Sequence, residues 1–191
     1  MQDYLEASEY IDIHHPLIQE TAKKLALNLQ GDEAIAKSCF EFVRDNIKHS
    51  WDFQLNPVTC KASQVLQHGT GYCYAKSHLL AALLRANNIP AGLCYQRLTI
   101  ENDSPPFCLH GLNAIYLNDF GWYRVDARGN KAEVNAQFSP PQEQLAFPLL
   151  SPGELDVEGI HAKPLPQVVL VLTKYNTFKD VAENLPDINP C

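Results

Sequence analysis

Three side chains of this sequence have the types and the spacing of a thiol-based catalytic site: Cys73, His110 and Asp126. Cys73 follows two glycines, Gly69 and Gly71, at the predicted start of an apolar helix. The unpaired N–H groups and the dipole at a helix N-terminus favour an anion, so we expect a thiolate there with a lowered pKa. The same N–H groups could hold an oxyanion that develops on a carbonyl under attack. A nucleophilic thiol also needs a base and a group that orients the base, and a histidine and an aspartate supply both.

The histidine and the aspartate lie on two predicted strands of one hairpin, Cys108–Leu117 and Trp122–Asp126. His110 is at the start of the first strand and Asp126 is at the end of the second, so pairing would bring them toward one another. Directly opposed residues of an antiparallel pair share a face, and their numbers add up to a constant. A four-residue connection, Asn118–Gly121, would give the odd sum 239 and place the two side chains on opposite faces. We therefore predict an even register, from a three- or five-residue loop or from a bulge.

The predicted elements are helices first and antiparallel strands afterwards, which argues for an α+β fold. The helix that begins near Cys73 is apolar on more than one side, as expected for a helix at the centre of a domain. The predicted helices run from Pro16 to a stop at Gly31, from a cap at Asp32 to Ile47, over Thr59–Leu66, over Tyr72–Asn88 and over Thr177–Leu185. The predicted strands are Ala91–Ile100, Cys108–Leu117, Trp122–Asp126 and Val168–Leu172, with loops at 51–57 and 101–106.

Length, composition and charge indicate one globular domain over residues 1–191, with a proline-rich extension from about residue 139. The 15 Lys and Arg residues against 22 Asp and Glu residues leave a net charge of −7, the wrong sign for a nucleic-acid or anionic-membrane binder. The longest apolar runs, Leu79–Leu84 and Val168–Leu172, are far shorter than the ~20 residues of a membrane helix. The first ten residues contain three acidic side chains and no apolar signal segment, so we expect a cytoplasmic location.

Six cysteines are present, but no CxxC pair is among them, which disfavours a disulfide framework and a structural zinc site. No acidic cluster resembles a calcium loop, so we expect no metal, and we expect no cofactor. Cys108 lies two residues before His110 on the same strand face. It is interpreted either as a core residue or as a redox partner of Cys73.

Three blocks of the sequence resemble the transglutaminase-like superfamily. The first block spans residues 69–91 and reads GTGYCYA at its start and LLRANNIPA at its end. The second reads HGLNAIYL from residue 110, and the third reads WYRVD over residues 122–126. The blocks occur in the order of the family pattern, and the resemblance covers about residues 35–130.

The resemblance implies a papain-like α+β core in which the N-terminal helices and the nucleophile helix pack on an antiparallel sheet. By position it makes Cys73 the nucleophile, His110 the general base and acid, and Asp126 the residue that orients the imidazole. The implied chemistry is attack on an amide or related carbonyl, a thioester intermediate, and transfer to an amine or to water. Leu112 stands where many members carry Trp, a departure that bears on the substrate groove and leaves the three residues in place.

Two side chains are candidate oxyanion donors besides the backbone N–H of Cys73. Gln67 lies six residues before the nucleophile, the same offset as the oxyanion glutamine of papain-type proteases. Trp51 lies in an upstream loop where the family often places an aromatic residue. The alternative interpretations are a surface residue at a helix end for Gln67 and a core anchor for Trp51. Arg128, two residues after the aspartate, receives no role.

The sequence therefore favours a small thiol enzyme that acts on a peptide, a protein or a small amide. We expect hydrolysis rather than protein cross-linking, because 191 residues leave no room for the extra β-domains and calcium sites of the large cross-linking enzymes. A non-catalytic module that kept the fold and binds a peptide or a partner is the alternative. A third hypothesis is a redox protein that uses Cys73 and Cys108. The proline-rich extension either shapes specificity or wraps the core.

Overall fold

The structure is a computed structural model that describes residues 1–101 and 104–188, without the side chain of Glu101. Cys191 lies outside the described residues. A 3-10 turn covers Gln2–Tyr4, and the helices are α1 (Pro16–Leu25), α2 (Asp32–Asn46), α3 (Ser50–Phe53), α4 (Ala62–His68), α5 (Cys73–Ala86), α6 (Pro166–Lys174) and α7 (Phe178–Ala182). The strands are β1 (Lys48–His49), β2 (Thr70–Gly71), β3 (Ala91–Glu101), β4 (Ser104–Leu117), β5 (Gly121–Val125), β6 (Gln137–Ser139), β7 (Gln142–Gln144) and β8 (Leu155–Asp156).

Helix α5 lies at the centre of the fold. Every residue from Cys73 to Arg85 is buried, because alanine and leucine cover most sides of the helix. One side of α5 packs on β3 and β4, and the other sides contact α1, α2 and α4. The predicted α+β architecture, with the nucleophile helix packed on an antiparallel sheet, is confirmed.

The main sheet has the strand order β5-β4-β3-β8, and its neighbouring strands are antiparallel. Strand β4 pairs with β3 from Ser104 to Ile115, but it pairs with β5 only from Asn113 to Leu117. Over the first half of β4, no described strand pairs with the side away from β3, where the backbone N–H of Leu109 donates to the carbonyl of Pro186 at 2.7 Å. We call the stretch Phe107–Gly111 of this side the β4 edge.

The hairpin between β4 and β5 has the even register that the sequence analysis required. Leu117 pairs with Gly121, and the pairing continues to Asn113 opposite Val125, so that paired residue numbers add up to 238. A three-residue connection replaces the four-residue one. His110 and Asp126 consequently share one face of the hairpin.

The two N-terminal helices are present as predicted, but the end of the first and the cap of the second differ from the prediction. Helix α1 stops at Leu25, well before Gly31, and Asn28 adopts a left-handed conformation with φ 62°. Asp32 is the first residue of α2 and does not cap it; the N-cap position is taken by Gly31, which has φ 82°. The Asp32 carboxylate accepts hydrogen bonds from the backbone N–H groups of Glu33 and Asn118 instead.

The strand predicted for Val168–Leu172 is wrong, because these residues belong to helix α6. Their buried members are Val168, Val171 and Leu172, which have the i, i+3, i+4 spacing of one helix face. Pro166 occupies the first turn, where its missing N–H and its φ suit a helix. A short apolar run of β-branched residues does not by itself distinguish a buried strand from a buried helix.

Two predicted loops contain parts of ordered elements. Strand β3 continues to Glu101 and β4 begins at Ser104, so most of the loop predicted over 101–106 is strand, and residues 102–103 lie outside the described residues. His110 is for this reason in the middle of its strand and not at the start. The loop predicted over 51–57 begins with the helical turn α3.

The proline-rich part of the chain contributes small elements that pack around the core, among them α6, α7 and β8. Val168 of α6 and Val181 of α7 are fully buried in the main core. The short helix predicted over Thr177–Leu185 is confirmed as α7, with the Thr177 side chain as its N-cap. None of the helices in the described residues is long and apolar enough to cross a membrane.

Candidate active site

Cys73 is the first residue of α5 and lies against the β4 edge. The preceding residue, Tyr72, is extended, with φ −66° and ψ 164°, and its side chain does not cap the helix. The N–H groups of the first turn are thus available to an anion. On the other side, the backbone N–H of Gly111 donates to Cys73 Sγ at 3.4 Å. A helix N-terminus and a strand N–H therefore both favour negative charge on this sulfur.

Gly111 allows this close approach of strand and helix because it has no side chain. A Cβ at this position would lie 3.0 Å from Tyr74 Cα and 3.2 Å from the Tyr74 backbone nitrogen, both in the first turn of α5. The Tyr74 hydroxyl further donates to the carbonyl oxygen of Leu109. The sequence analysis did not single out Gly111, although its place directly after His110 was the signal available.

His110 and Asp126 form a buried pair at the same edge. His110 Nε2 lies 2.7 Å from Asp126 Oδ2, and the two residues are 5% and 0% exposed. The Asp126 carboxylate also accepts from the backbone N–H of Arg128 at 3.0 Å and of Ala146 at 3.2 Å. The ring of Phe147 meets the imidazole edge-on at 5.0 Å between centroids. Both side chains are held by several contacts, which leaves Nδ1 of the imidazole for the thiol.

The charges of the site shift the pKa values of His110 and Asp126 away from their ordinary ranges. Burial alone lowers the pKa of His110, but the charges of Asp126 and Cys73 and hydrogen bonds to both outweigh burial and raise it to about 10. Burial alone raises the pKa of Asp126, but the charge and hydrogen bond of His110 and two backbone N–H groups outweigh burial and lower it. The favoured state of this pair is an imidazolium beside a carboxylate.

A cavity of about 710 Å³ opens beside the thiol. Its apolar wall comes mainly from β3, β4 and the segment after Ala146, and its polar wall comes mainly from β1, α7 and the segment after Asp126, with Trp51 of α3 beside it. The apolar side chains are Leu98, Ile100, Leu109, Phe147, Pro148, Leu150 and Leu185, and the charged or titratable ones are His49, Cys73, Cys108, His110, Arg128, Lys131, Glu154, Lys179 and Glu183.

The two candidate oxyanion side chains lie in different places. Trp51 is in α3, lines the cavity, and is 51% exposed, with its ring 6.0 Å from that of Phe178. Gln67 is exposed on α4 and is not among the cavity-lining residues. The structure therefore brings Trp51 to the cavity of Cys73 and leaves Gln67 on the surface.

A charged cluster at the polar wall was missed in the sequence analysis. It consists of His49, Asp52, Arg128 and Lys131, and Asp52 is its centre. Arg128 Nη2 donates to Asp52 Oδ1 at 3.0 Å, Arg128 Nη1 lies 2.7 Å from Oδ2, and Lys131 Nζ lies 3.1 Å from Oδ1. The only signal in the sequence was the proximity of Asp52 to Trp51 and of Arg128 to Asp126, since 76 positions separate the arginine from its aspartate.

The cluster sets its own protonation states. Burial raises the pKa of Asp52, but hydrogen bonds from Arg128 and Lys131 and the charge of Arg128 outweigh burial and lower the pKa to about 2. Burial and the charge of Arg128 lower the pKa of His49 well below 6.5, against the opposing charge of Asp52. His49 is therefore a buried, neutral imidazole beside a paired carboxylate.

Cys108 lines the same cavity as Cys73. Burial, followed by the charges of Cys73 and Asp187, raises its pKa to about 12, so that its thiol stays protonated near neutral pH. Cys39, Cys60, Cys73, Cys94 and Cys108 are free thiols. Across residues 1–101 and 104–188, no group of three or more His, Cys, Asp or Glu side chains is placed to hold a metal ion.

The match to known structures concerns about two thirds of this chain. A candidate cysteine protease from Cytophaga hutchinsonii aligns with a TM-score of 0.52 and 21% identity, over 65% of this chain and 40% of its own. The periplasmic domain of TgpA from Pseudomonas aeruginosa aligns with a TM-score of 0.49 and 18% identity, over 65% and 45% of the two chains. This chain thus spans less than half of either protein, and at these identities the likeness concerns the fold. No curated protein matches the sequence.

The family model described as the transglutaminase-like superfamily matches residues 19–127. This range is more than half of the 191 residues and includes Cys73, His110 and Asp126. It also contains α5, the β4 edge and the hairpin that carry these side chains. The chain belongs to the transglutaminase-like superfamily.

Proposed function

We propose that the protein is a cysteine-dependent enzyme that cleaves an amide bond through a thioester, with Cys73, His110 and Asp126 as its catalytic residues. The observation that carries the proposal is the buried His110–Asp126 pair, 2.7 Å between Nε2 and Oδ2, beside a thiol at a helix N-terminus. A thiolate next to an imidazolium is the state in which a cysteine is nucleophilic at neutral pH.

In the first half of the reaction, the Cys73 thiolate attacks the amide carbon and a C–S bond forms. The carbonyl oxygen becomes an oxyanion, which the Cys73 backbone N–H and the Trp51 indole N–H stabilise. The His110 imidazolium gives its proton to the amide nitrogen, the C–N bond breaks, and the amine leaves. Asp126 keeps the imidazole oriented and stabilises its charged form.

In the second half, water attacks the thioester carbon while His110 accepts a proton from it. The C–S bond breaks, the acid product leaves, and the thiolate and the imidazolium are restored. We propose water as the acceptor rather than a protein amine. Support comes from the fold shared with the candidate cysteine protease of Cytophaga hutchinsonii.

The proposed substrate is a peptide, a protein segment or a small amide that fits the cavity of about 710 Å³. The apolar wall around Leu98, Phe147 and Leu150 suits an apolar side chain next to the scissile bond. The cytoplasmic location and the lack of nucleic-acid and membrane partners remain predictions.

The test is the formation of an acyl-enzyme on Cys73. We expect p-nitrophenyl acetate to add one acetyl group, located on Cys73 by peptide mass spectrometry, and we expect Cys73→Ala to abolish the reaction. Cys108→Ala is the matched control, because that thiol lines the same cavity but stays protonated. Hydrolysis in ¹⁸O water, compared with incorporation of an added amine, then separates the two acceptors.

Three outcomes would contradict the proposal. A folded wild-type protein that forms no acyl-enzyme would favour the peptide-binding module. Acetylation at cysteines other than Cys73 would remove the catalytic assignment. A reversible Cys73–Cys108 disulfide under mild oxidation, without any acylation, would favour the redox interpretation.

A further inference from the structure

Arg128 connects the two walls of the active-site cavity. Its backbone N–H donates to Asp126 Oδ1 at 3.0 Å, which ties it to the aspartate of the catalytic pair. Its guanidinium lies over the ring of Phe147, 5.4 Å from the centroid, and that ring packs against His110. The Arg128 side chain is 8% exposed. One end of this residue is therefore part of the surroundings of His110 and Asp126.

The other end of Arg128 holds the helical turn α3. Its guanidinium makes a two-point contact with the Asp52 carboxylate, at 3.0 Å and 2.7 Å. Asp52 directly follows Trp51, the residue proposed above to donate to the oxyanion. A turn of four residues is too short to maintain its own orientation by helix formation. Strand β1 fixes the start of the turn by pairing with β2 just before Cys73, and the Arg128 contact is the side-chain contact that ties Asp52 of the turn to the His110–Asp126 pair.

The form of this contact suits positioning. A planar guanidinium that meets a carboxylate at two points fixes distance and orientation together, which a single ammonium cannot do. A buried ion pair adds little net stability, because the cost of removing both charges from water offsets their attraction. Such a pair can fix the distance and orientation of the groups that carry it. This matters because misplacement of an oxyanion donor by about 1 Å can lower the rate about a hundredfold.

We propose that Arg128 is a positioning residue for the oxyanion site: through Asp52 it holds α3, and with it the Trp51 indole, against the half of the cavity that carries Cys73, His110 and Asp126. The inference rests on the proposed thiol chemistry. It assigns Arg128 no contact with the substrate and no part in proton transfer.

The test compares two reactions of the same thiol. Iodoacetamide alkylates the thiolate at a saturated carbon, so no oxyanion forms, whereas p-nitrophenyl acetate acylates it through an oxyanion. We expect Arg128→Met to slow acylation of Cys73 roughly 30-fold and to change alkylation by less than about threefold. Arg128→Lys keeps the charge but not the two-point contact, and we expect it to slow acylation by about tenfold. The backbone N–H to Asp126 is present in both variants.

Arg124→Met is the matched control. Arg124 also pairs with carboxylates, those of Glu143 and Asp156, but it lies on β5 and is not a cavity residue. Both rates should stay within about twofold of wild type. If Arg128→Met does not fold, as judged by its thermal unfolding, Asp52→Asn removes the same ion pair from the other side and should show the same selective loss.

Equal losses in acylation and alkylation, or no loss in either, would overturn the inference while leaving the thiol chemistry intact. A wild-type protein that alkylates but does not acylate at Cys73 would overturn the proposed function and this inference together. A selective loss of acylation in both Arg128 variants, absent in Arg124→Met, is the result that supports the positioning role.

Discussion

Two buried histidines line the same cavity, each with an aspartate nearby, and their pKa values move in opposite directions. His110 Nε2 lies 2.7 Å from Asp126 Oδ2, and His49 Nδ1 lies 3.7 Å from Asp52 Oδ2. The pKa of His110 is raised to about 10, while that of His49 is lowered well below 6.5. Burial lowers both values, so the difference comes from the charges around each ring.

The partners of the two aspartates explain the difference. The described partners of Asp126 besides His110 are backbone N–H groups, which carry no net charge. Asp52 already faces Arg128 and Lys131, and the positive charge of Arg128 acts directly against protonation of His49. A carboxylate thus makes a neighbouring imidazole basic only where no other cation has neutralised it. The cavity has one charged imidazole, next to the thiol, and one neutral imidazole across from it.

Removal of the carboxylate of the charged pair should have the largest effect. We expect Asp126→Asn to slow acylation of Cys73 by p-nitrophenyl acetate about 10³- to 10⁴-fold, because the imidazole loses both its orientation and its stabilising charge. Asp52→Asn, the equivalent change beside the neutral His49, should slow this acylation only roughly 30-fold. Equal effects of the two variants would contradict the conclusion that the His110–Asp126 and His49–Asp52 pairs differ in role.

The protonation states themselves can be read by NMR of the ¹⁵N-labelled imidazoles. His110 should remain protonated from pH 6 to 9 and titrate near 10, whereas His49 should already be neutral at pH 6.5. In Asp126→Asn the lowering effect of burial is no longer opposed by that carboxylate, so His110 should become neutral at a lower pH than in wild type. His110→Gln and His49→Gln assign the signals. A wild-type His110 that titrates near 6.5 would show that the pair is not formed.

Neutral buried histidines should also make the protein less stable in acid. The pKa of His78 is lowered to about 4 by burial, against a hydrogen bond to the carbonyl of Cys60. The unfolded chain takes up a proton at His78 near pH 6.5, whereas the folded chain does so only near pH 4. His78 therefore does not affect the free energy of unfolding well above pH 6.5, and it lowers that free energy by about 2 kcal/mol at pH 5. His49, whose pKa is also lowered, should likewise destabilise the folded protein in acid.

Urea unfolding at pH 8 and pH 5 measures this effect. His78→Gln and His49→Gln should each lose less stability than wild type between the two pH values. Acylation of Cys73 should be unchanged in His78→Gln, since this side chain is fully buried away from the cavity. An unaltered pH dependence in His78→Gln would mean that this histidine is protonated in the folded state.

The smallest effect is expected at the exposed candidate donor. Gln67→Ala should change acylation by less than about twofold, because Gln67 is exposed on α4 and does not line the cavity. Trp51→Phe keeps an aromatic ring but removes the indole N–H, and it should slow acylation at least about 30-fold, no less than Arg128→Met, which only misplaces that N–H. A large effect of Gln67→Ala with none of Trp51→Phe would exchange the two assignments.

The parts of the fold that sequence periodicity could predict are those decided by neighbours in the chain. The start of α5 at Cys73 follows from the glycines before it, and its burial follows from alanine and leucine on most of its sides. The even hairpin register is predicted from the requirement that His110 and Asp126 share a face, since the four-residue connection indicated by the residues gives an odd sum. Val168–Leu172 shows the limit, since an apolar run is buried whether it is strand or helix.

By itself the sequence determined the identities and the local placement of the three residues proposed for catalysis: a cysteine at a helix start, and a histidine and an aspartate on one hairpin. Only the tertiary structure decided which polar groups pair. The Gly111 N–H donates to the Cys73 sulfur, Asp126 pairs with His110, and Arg128 pairs with Asp52. The physical reason is how far apart along the chain the interacting residues lie. Helix starts and strand faces depend on residues a few positions apart, whereas burial and counter-charges depend on residues brought together from far along the chain.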